Sequence, residues 1–154
     1  MTLACPVNKE TVDDRVARLC ALVILVPLGL SLTLQSAWPA CFLAVDFGLR
    51  GFGARRWSPV ARLSRALAAL LGSAPKPTNA GPKAFAAKLG LLFSVAVALA
   101  LMLGWESLAW IAGAPFALCA LLEGGLGFCV GCHIYQLGQR LCSLPSVTDA
   151  PASR

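Results

Sequence analysis

The sequence predicts an all-α membrane protein: a four-transmembrane-helix bundle with a cytoplasmic amphipathic helix between spans 2 and 3. Its composition is 58% hydrophobic and 13% charged, with a mean hydropathy of +0.74, whereas soluble domains carry about 25% charged residues. Four apolar stretches run at about 19–35, 38–53, 89–105 and 108–130. A helix needs about 20 apolar residues to cross the hydrocarbon core, and about 17 is the lower limit. The four stretches therefore organise residues 1–154 as a single membrane domain.

The basic residues predict the orientation of these spans. The thirteen Lys and Arg residues lie in the tails 1–18 and 136–154, in the loop 54–88, or at Arg50 beside that loop. The short connections near Ser36 and Ser107 carry no Lys or Arg. Short basic loops stay in the cytoplasm, so we expect both termini to be cytoplasmic. The charges flank membrane spans, where anionic headgroups attract them, and we expect a lipid bilayer rather than nucleic acid as their partner.

The first two spans come from one uncharged run, residues 19–45. A single helix of that length would reach about 40 Å, beyond the hydrocarbon core, and would place the basic loop outside. A turn near Gln35 and Ser36 removes both difficulties. The acidic residues Asp13 and Asp14 precede the first span, which favours a helix start there and argues against a cleaved signal peptide.

The loop after span 2 predicts a helix of its own. Ser58 and Pro59 have the residue types of an N-cap and a first helical position, and Gly72 is a stop signal. Apolar residues recur between them at helical spacing: Val60, Leu63, Leu67, Leu70 and Leu71. This amphipathic helix lies either on the inner membrane surface or as a cap on the bundle.

Cys129 and Cys132 form a CxxC motif in a glycine-rich setting near the end of span 4. We expect the helix to loosen at Gly124 and Gly125 and to continue to the inner interface near Tyr135. Residues three apart share one helix face, so the sulfurs can approach each other, and a helix N-terminus lowers a thiol pKa. The motif is typical of dithiol–disulfide exchange, metal binding or persulfide transfer, although cysteine is also a common packing residue. We assign no chemical role to the remaining membrane cysteines: Cys20, Cys41, Cys119 and Cys142.

His133 follows the motif directly and adds two alternatives. Cys-x-x-Cys-His is the attachment pattern of c-type haem, but that attachment occurs outside the cytoplasm and the charge distribution places this motif inside. Zinc requires three or four ligands, which Cys129, Cys132, His133 and Cys5 would supply. We favour a third interpretation over haem and zinc, in which His133 is an interfacial side chain beside Tyr135.

Three charged residues fall within or beside the spans. Asp46 and Arg50 are four residues apart on one helix face, which predicts an ion pair, because unpaired charges are costly in a bilayer. The pair is either a structural clamp or an anion or proton site. Glu123 precedes the CxxC motif by one to two turns; it is placed to accept a thiol proton or to neutralise a basic residue, with Arg50 the expected partner.

Several of these residues together resemble one bacterial pattern. The sequence is similar to the membrane family catalogued as domain of unknown function 4395 in Cys5-Pro6-Val7, Asp46 to Arg50, Ser58-Pro59, Pro82-Lys83 with Phe85-Ala86, and Glu123 with Gly127-Phe128-Cys129 and Gly131-Cys132. The resemblance covers about residues 5–135 and implies a bacterial membrane protein. It brings no established activity, but its thiols suggest sulfur or redox metabolism.

We therefore expect a bacterial inner-membrane protein with a cytoplasm-facing CxxC used in thiol redox or sulfur relay. Cys129 and Cys132 would be the working pair, Cys5 a resolving or delivering thiol, and Glu123 a proton acceptor. A thioredoxin-like protein or a sulfurtransferase is the expected protein partner, and the sequence identifies no cofactor. The alternative is a non-catalytic membrane subunit or a small-solute transport component with structural cysteines and charges.

Overall fold

The computed structural model describes residues 11–72 and 77–142, and this part of the chain is mainly helical. Two three-residue strands, β1 (Thr11–Asp13) and β2 (Pro77–Asn79), pair antiparallel. A 3-10 turn covers Arg55–Trp57 and a π-helical turn covers Leu122–Leu126. The helices are α1 (Asp14–Thr33), α2 (Ala37–Gly51), α3 (Pro59–Leu70), α4 (Ala80–Met102), α5 (Glu106–Leu121) and α6 (Val130–Cys142).

Four of these helices form a ring made of two hairpins. A tight turn in which Gln35 has φ +49° joins α1 to α2, and a turn in which Gly104 has φ +73° joins α4 to α5. Contacts connect α1 with α2, α2 with α4, α4 with α5, and α5 with α1. Helices α2 and α4 approach closely at Gly90, where a Cβ atom would lie 2.5 Å from the Phe47 ring. The two spans predicted within residues 19–53 correspond to α1 and α2, and the chain reverses direction between them at residues 34–36.

Within the two described ranges, three helical segments are long and apolar enough to cross a membrane: Asp14–Thr33, Gly81–Met102 and Glu106–Leu126. Their outward faces expose large apolar side chains such as Val26, Leu92 and Ile111, each more than 60% exposed. Such faces are stable in lipid and unfavourable in water. The chain thus has the character of a membrane protein. Helix α2 has 15 residues, about 22 Å at 1.5 Å per residue, which is shorter than the hydrocarbon core.

The third and fourth apolar stretches are bounded differently from expectation. Helix α4 begins at Ala80 rather than Leu89, so Lys83 and Lys88 lie on its first turns. A lysine ends an apolar run in the sequence, but its long side chain can reach a carboxylate or the interface while the backbone stays helical. At the other end, helix α5 passes into a π turn and stops at Gly127, which has φ +72°. The loosening expected at the glycines is therefore a complete break, and α6 is a separate helix.

Helix α3 has the predicted start. The Ser58 hydroxyl accepts a hydrogen bond from the backbone N–H of Ala61, and Pro59 is the first helical residue. Its buried side is formed by small residues that face α1: Val60, Ala61, Ser64 and Ala68. Leu63 and Leu70 remain exposed. The helix therefore packs on the bundle through one face and presents apolar side chains on another.

Candidate functional site

The CxxC motif lies at the start of α6. Cys129 immediately precedes the helix, and Cys132 occupies its first turn. The backbone N–H of Cys132 donates to the Cys129 sulfur over 3.4 Å, so Cys129 occupies the N-cap position, where a side chain accepts from an otherwise unpaired helix N–H. Both cysteines are free thiols. The break at Gly127 is what allows a new helix to begin at the motif.

The two thiols differ in environment. Cys129 is 8% exposed and Cys132 is half-buried. The Cys129 thiol donates a hydrogen bond to the Cys132 sulfur, which lowers the pKa of Cys132; the positive charge of Lys83 acts in the same direction, and burial opposes both. The same hydrogen bond raises the pKa of Cys129, as do its burial and the negative charge of Glu123. Cys132 is therefore the thiol that ionises first, and Cys129 keeps its proton.

Lys83 connects three helical segments beside these thiols. Its Nζ lies 2.9 Å from the Glu123 carboxylate and 3.2 Å from that of Asp14. The Asp14 carboxylate also pairs with Arg18 over 3.1 Å. The Lys83 side chain is only 10% exposed. We refer to Asp14, Arg18, Lys83 and Glu123 as the lysine cluster.

The partner of Glu123 corrects the expectation drawn from the sequence. Glu123 pairs with Lys83, whereas Arg50 pairs with Asp46. Lys83 falls in the predicted cytoplasmic loop 54–88 and is not among the predicted site residues. A helix start near Pro82 was the signal that could have found it, because proline favours the first turn of a helix and would have placed Lys83 on α4.

Asp46 and Arg50 form the predicted ion pair, with 3.4 Å between the Asp46 carboxylate and an Arg50 nitrogen. Asp46 is fully buried. Its other carboxylate oxygen accepts from the Ser58 hydroxyl at 2.6 Å and from the Val60 backbone N–H at 3.1 Å. These two bonds fix the first turn of α3 to α2, as expected for a structural clamp.

A cavity of about 320 Å³ opens among the ring helices at the end that carries the thiols. It brings together Arg50, Lys83, Glu123 and Cys129 from four different elements. Its wall is otherwise largely apolar. Of the predicted site residues, Asp46 and Cys132 do not line it, and Cys5 lies outside the described residues. The cavity thus joins two groups that the sequence analysis had considered separately, the CxxC motif and the Arg50 pair.

His133 makes an edge-on contact with the Phe128 ring, with 4.3 Å between ring centroids. Within residues 11–72 and 77–142, no three His, Cys, Asp or Glu side chains lie close enough to hold a metal ion. The zinc alternative included Cys5, which falls outside those ranges. His133 itself is exposed, and its interfacial position beside Tyr135 stays a prediction.

Comparison with known proteins gives a family and no nearer relative. No curated protein and no solved structure matches the chain. One family profile, described as a domain of unknown function (DUF4395), matches residues 12–140. This range begins after Cys5 and contains Asp46, Arg50, Lys83, Glu123 and the CxxC motif. Since the match covers most of the chain, the protein belongs to the DUF4395 family.

Proposed function

We propose that this protein is a bacterial inner-membrane protein whose cytoplasm-facing CxxC carries out thiol redox or sulfur-relay chemistry. The observation that carries the proposal is the asymmetry of the thiol pair at the start of α6. Cys132 is the more exposed sulfur with the lowered pKa, and the buried Cys129 donates a hydrogen bond to it. An attacking thiolate beside a protonated second thiol is what dithiol chemistry requires.

The proposed topology has four spans, namely the three long apolar helices and the shorter α2. Both termini lie in the cytoplasm. Lys83 contacts residues at the start of α1 and the end of α5, so these ends lie together. The basic residues concentrate at this end of the ring, and the turns at residues 34–36 and 103–105 carry none. The positive-inside rule places such an end in the cytoplasm. The short α2 spans by local thinning of the bilayer.

In the redox version, the Cys132 thiolate attacks one sulfur of a disulfide on a thioredoxin-like partner. A mixed disulfide forms, and the partner's other sulfur leaves as a thiolate. Cys129 then loses its proton, which Glu123 or water accepts, and attacks the Cys132 sulfur. The Cys129–Cys132 disulfide forms and the second partner thiol is released. The motif has lost two electrons and the partner disulfide has gained them; the reverse sequence reduces the motif.

In the relay version, the Cys132 thiolate attacks the terminal sulfur of a persulfide on a sulfurtransferase. The donor's S–S bond breaks, its inner sulfur leaves as a thiolate, and Cys132 carries the persulfide. No net oxidation of the pair occurs. Cys5, which precedes the described residues, remains the proposed delivering or resolving thiol.

The test is the reactivity of single thiols. We expect Cys132 to react with N-ethylmaleimide near neutral pH faster than Cys20, which is 3% exposed. In the Cys129→Ser variant, Cys132 should accumulate as a mixed disulfide or persulfide, because the resolving thiol is gone; this is checked by mass spectrometry of peptides from non-reduced protein. The proposal would be contradicted if Cys132 and Cys20 were alkylated at equal rates and the Cys129→Ser variant accumulated neither a mixed disulfide nor a persulfide.

Topology is tested separately with a membrane-impermeant maleimide. Single cysteines introduced at Ser36 and Ser107 should be labelled in intact cells. A cysteine at Ser73 should react only after lysis, because the basic segment is expected to be inside. Labelling of the Ser73 site in intact cells would reverse the orientation and bring back the haem alternative.

A second candidate function is a small-solute transport component or a non-catalytic subunit. The cavity inside the helix ring favours it, since ligand sites of bundles lie between helices. In that case the thiols are packing groups, and the Cys129→Ser variant traps nothing while solute flux depends on the residues lining the cavity.

A further inference from the structure

The cavity has two chemically different parts. Its inner wall is formed by side chains of the core, including Ile24, Phe47, Phe93 and Phe116. Its outer part includes arginines from one continuous segment that ends α2 and enters α3: Arg50, Arg55 and Arg65. Protein interiors are close-packed, with few voids larger than a water molecule. A volume of about 320 Å³ is instead within the range of small-molecule sites, about 300–1,000 Å³.

Two of these arginines, Arg50 and Arg65, keep donors for a ligand. A guanidinium has five N–H donors. Arg50 uses one of them toward Asp46 at the long distance of 3.4 Å. Arg65 donates from Nε to the Ala61 carbonyl oxygen at 3.2 Å, and among the described residues it has no carboxylate partner. These planar groups match the oxygens of a carboxylate or a phosphate.

The other charged part of the cavity does not offer such a site. Lys83 already contacts two carboxylates, those of Glu123 and Asp14. An anion that approached Cys129 would therefore meet a neutralised lysine and a nearby Glu123. Asp13 also lines the cavity, and its carboxylate accepts a hydrogen bond from the backbone N–H of Arg15. The acidic residues Asp13 and Glu123 therefore leave Arg50 and Arg65 as the site for an anionic group, and the phenylalanine-lined part remains for an apolar chain.

We propose that this cavity binds an anionic amphiphile, with its carboxylate or phosphate at Arg50 and Arg65 and its apolar chain among Phe47, Phe93 and Phe116. The source is either a free acyl carboxylate or one chain of an anionic phospholipid. The proposal does not depend on the thiol chemistry. Cys119 and Cys129 also line the cavity, so a bound chain covers them.

Binding is measured with dodecanoate as the probe, on the full chain in a neutral maltoside detergent, by native mass spectrometry. We expect a one-to-one adduct with dodecanoate and at least tenfold weaker binding of the uncharged dodecanol. Arg65→Gln should weaken dodecanoate binding at least tenfold, or about 1.4 kcal/mol. Arg62→Gln is the matched control, because Arg62 is an exposed arginine of α3 that does not line the cavity. Equal effects of the two substitutions, or equal affinity for the alcohol, would overturn the proposal.

The position of the probe is tested by thiol protection. Saturating dodecanoate should slow alkylation of Cys119 by N-ethylmaleimide and leave Cys41, which does not line the cavity, unchanged. Ala17→Leu, which fills part of the cavity wall, should weaken binding without removing any charge. Equal protection of Cys41 and Cys119 would mean that the probe binds the outer surface, and the site would be wrong.

Two further arms identify the source and separate this proposal from the thiol function. The first arm compares nanodiscs made of phosphatidylglycerol with nanodiscs made of phosphatidylcholine. If the protein retains phosphatidylglycerol but not phosphatidylcholine, the natural ligand is a lipid. If added dodecanoate stays bound in both kinds of nanodisc, the natural ligand is a free acid. The variant Cys132→Ser, which removes a thiol that does not line the cavity, should bind dodecanoate as the unmodified chain does. Loss of binding in that variant would contradict an independent site, whereas normal thiol reactivity without dodecanoate binding would refute this proposal alone.

Discussion

Two ion-pair groups in the described part of the chain use similar residues for different purposes. The first group, Asp46 with Arg50 and Ser58, joins α2 to the first turn of α3, and its carboxylate is completely buried. The second, the lysine cluster, lies beside the CxxC motif with side chains that are 10–40% exposed. In the first group the carboxylate makes short hydrogen bonds to a hydroxyl and a backbone N–H. In the second, the lysine charge acts on a thiol.

The difference shows how the surroundings of a charge decide its role. A fully buried carboxylate with three hydrogen-bond donors gains its stability from those donors, so it fixes the backbone that supplies them. A lysine shared between two carboxylates and near two sulfurs changes the relative energy of thiol and thiolate. An acidic residue and an arginine four positions apart therefore predict an ion pair, as in Asp46 with Arg50 and Asp14 with Arg18. The spacing does not predict what the pair does.

The largest effect is expected from Asp46→Asn. The substitution removes the charge of a fully buried carboxylate and leaves the partly buried Arg50 without its partner. Breaking a buried ion pair typically costs about 3–5 kcal/mol. The control is Arg62→Gln, which changes an exposed side chain and should alter stability by about 0–0.5 kcal/mol. Thermal or denaturant unfolding in detergent measures both. If the two variants unfold alike, Asp46 does not hold α3 in place.

A smaller effect, on reactivity, is expected from Lys83→Gln. Removing the positive charge raises the pKa of Cys132, because that charge lowers it in the native protein. The rate of alkylation at neutral pH should fall several-fold, and the rate profile should move to higher pH. Lys88→Gln is the matched control: Lys88 is exposed on the same helix and lies over the Phe52 ring. An unchanged pH profile in the Lys83 variant would show that the cluster is only structural.

The smallest effect is expected from Ser58→Ala. The substitution removes the N-cap of α3 and one hydrogen bond to Asp46, and loss of an N-cap costs about 1 kcal/mol. Ser107→Ala, at an exposed residue, is the control. Unfolding should register the difference while alkylation of Cys132 stays the same. A change in Cys132 reactivity would mean that the two ion-pair groups are coupled, and the division between them would fail.

Local signals were sufficient for much of the fold. The N-cap at Ser58, the reversal near Gln35 and the weakening of the helix at the glycines before Cys129 all follow from residue types that act on their own neighbours. The pair of Asp46 and Arg50 follows from helical spacing alone. The family resemblance was confirmed by a match over residues 12–140.

Long-range signals were not available to the sequence analysis. The start of α4 at Ala80 and the contact of Lys83 with Glu123, forty positions later, depend on how separate helices pack. A hydropathy window treats every lysine as the end of a span, because it does not include the carboxylate that neutralises the charge. For the same reason Glu123 was matched with Arg50.

By itself the sequence determined the helical class, the apolar segments, the helix caps and the adjacency of the two cysteines, since each rests on hydrophobicity or on contacts within a few residues. Only the tertiary structure decided which charges pair, which thiol is exposed, and that Arg50 and Cys129 border one cavity. These depend on side chains brought together from α2, α4, α5 and α6. Contacts of that kind are fixed by packing among helices, which no single stretch of the chain encodes.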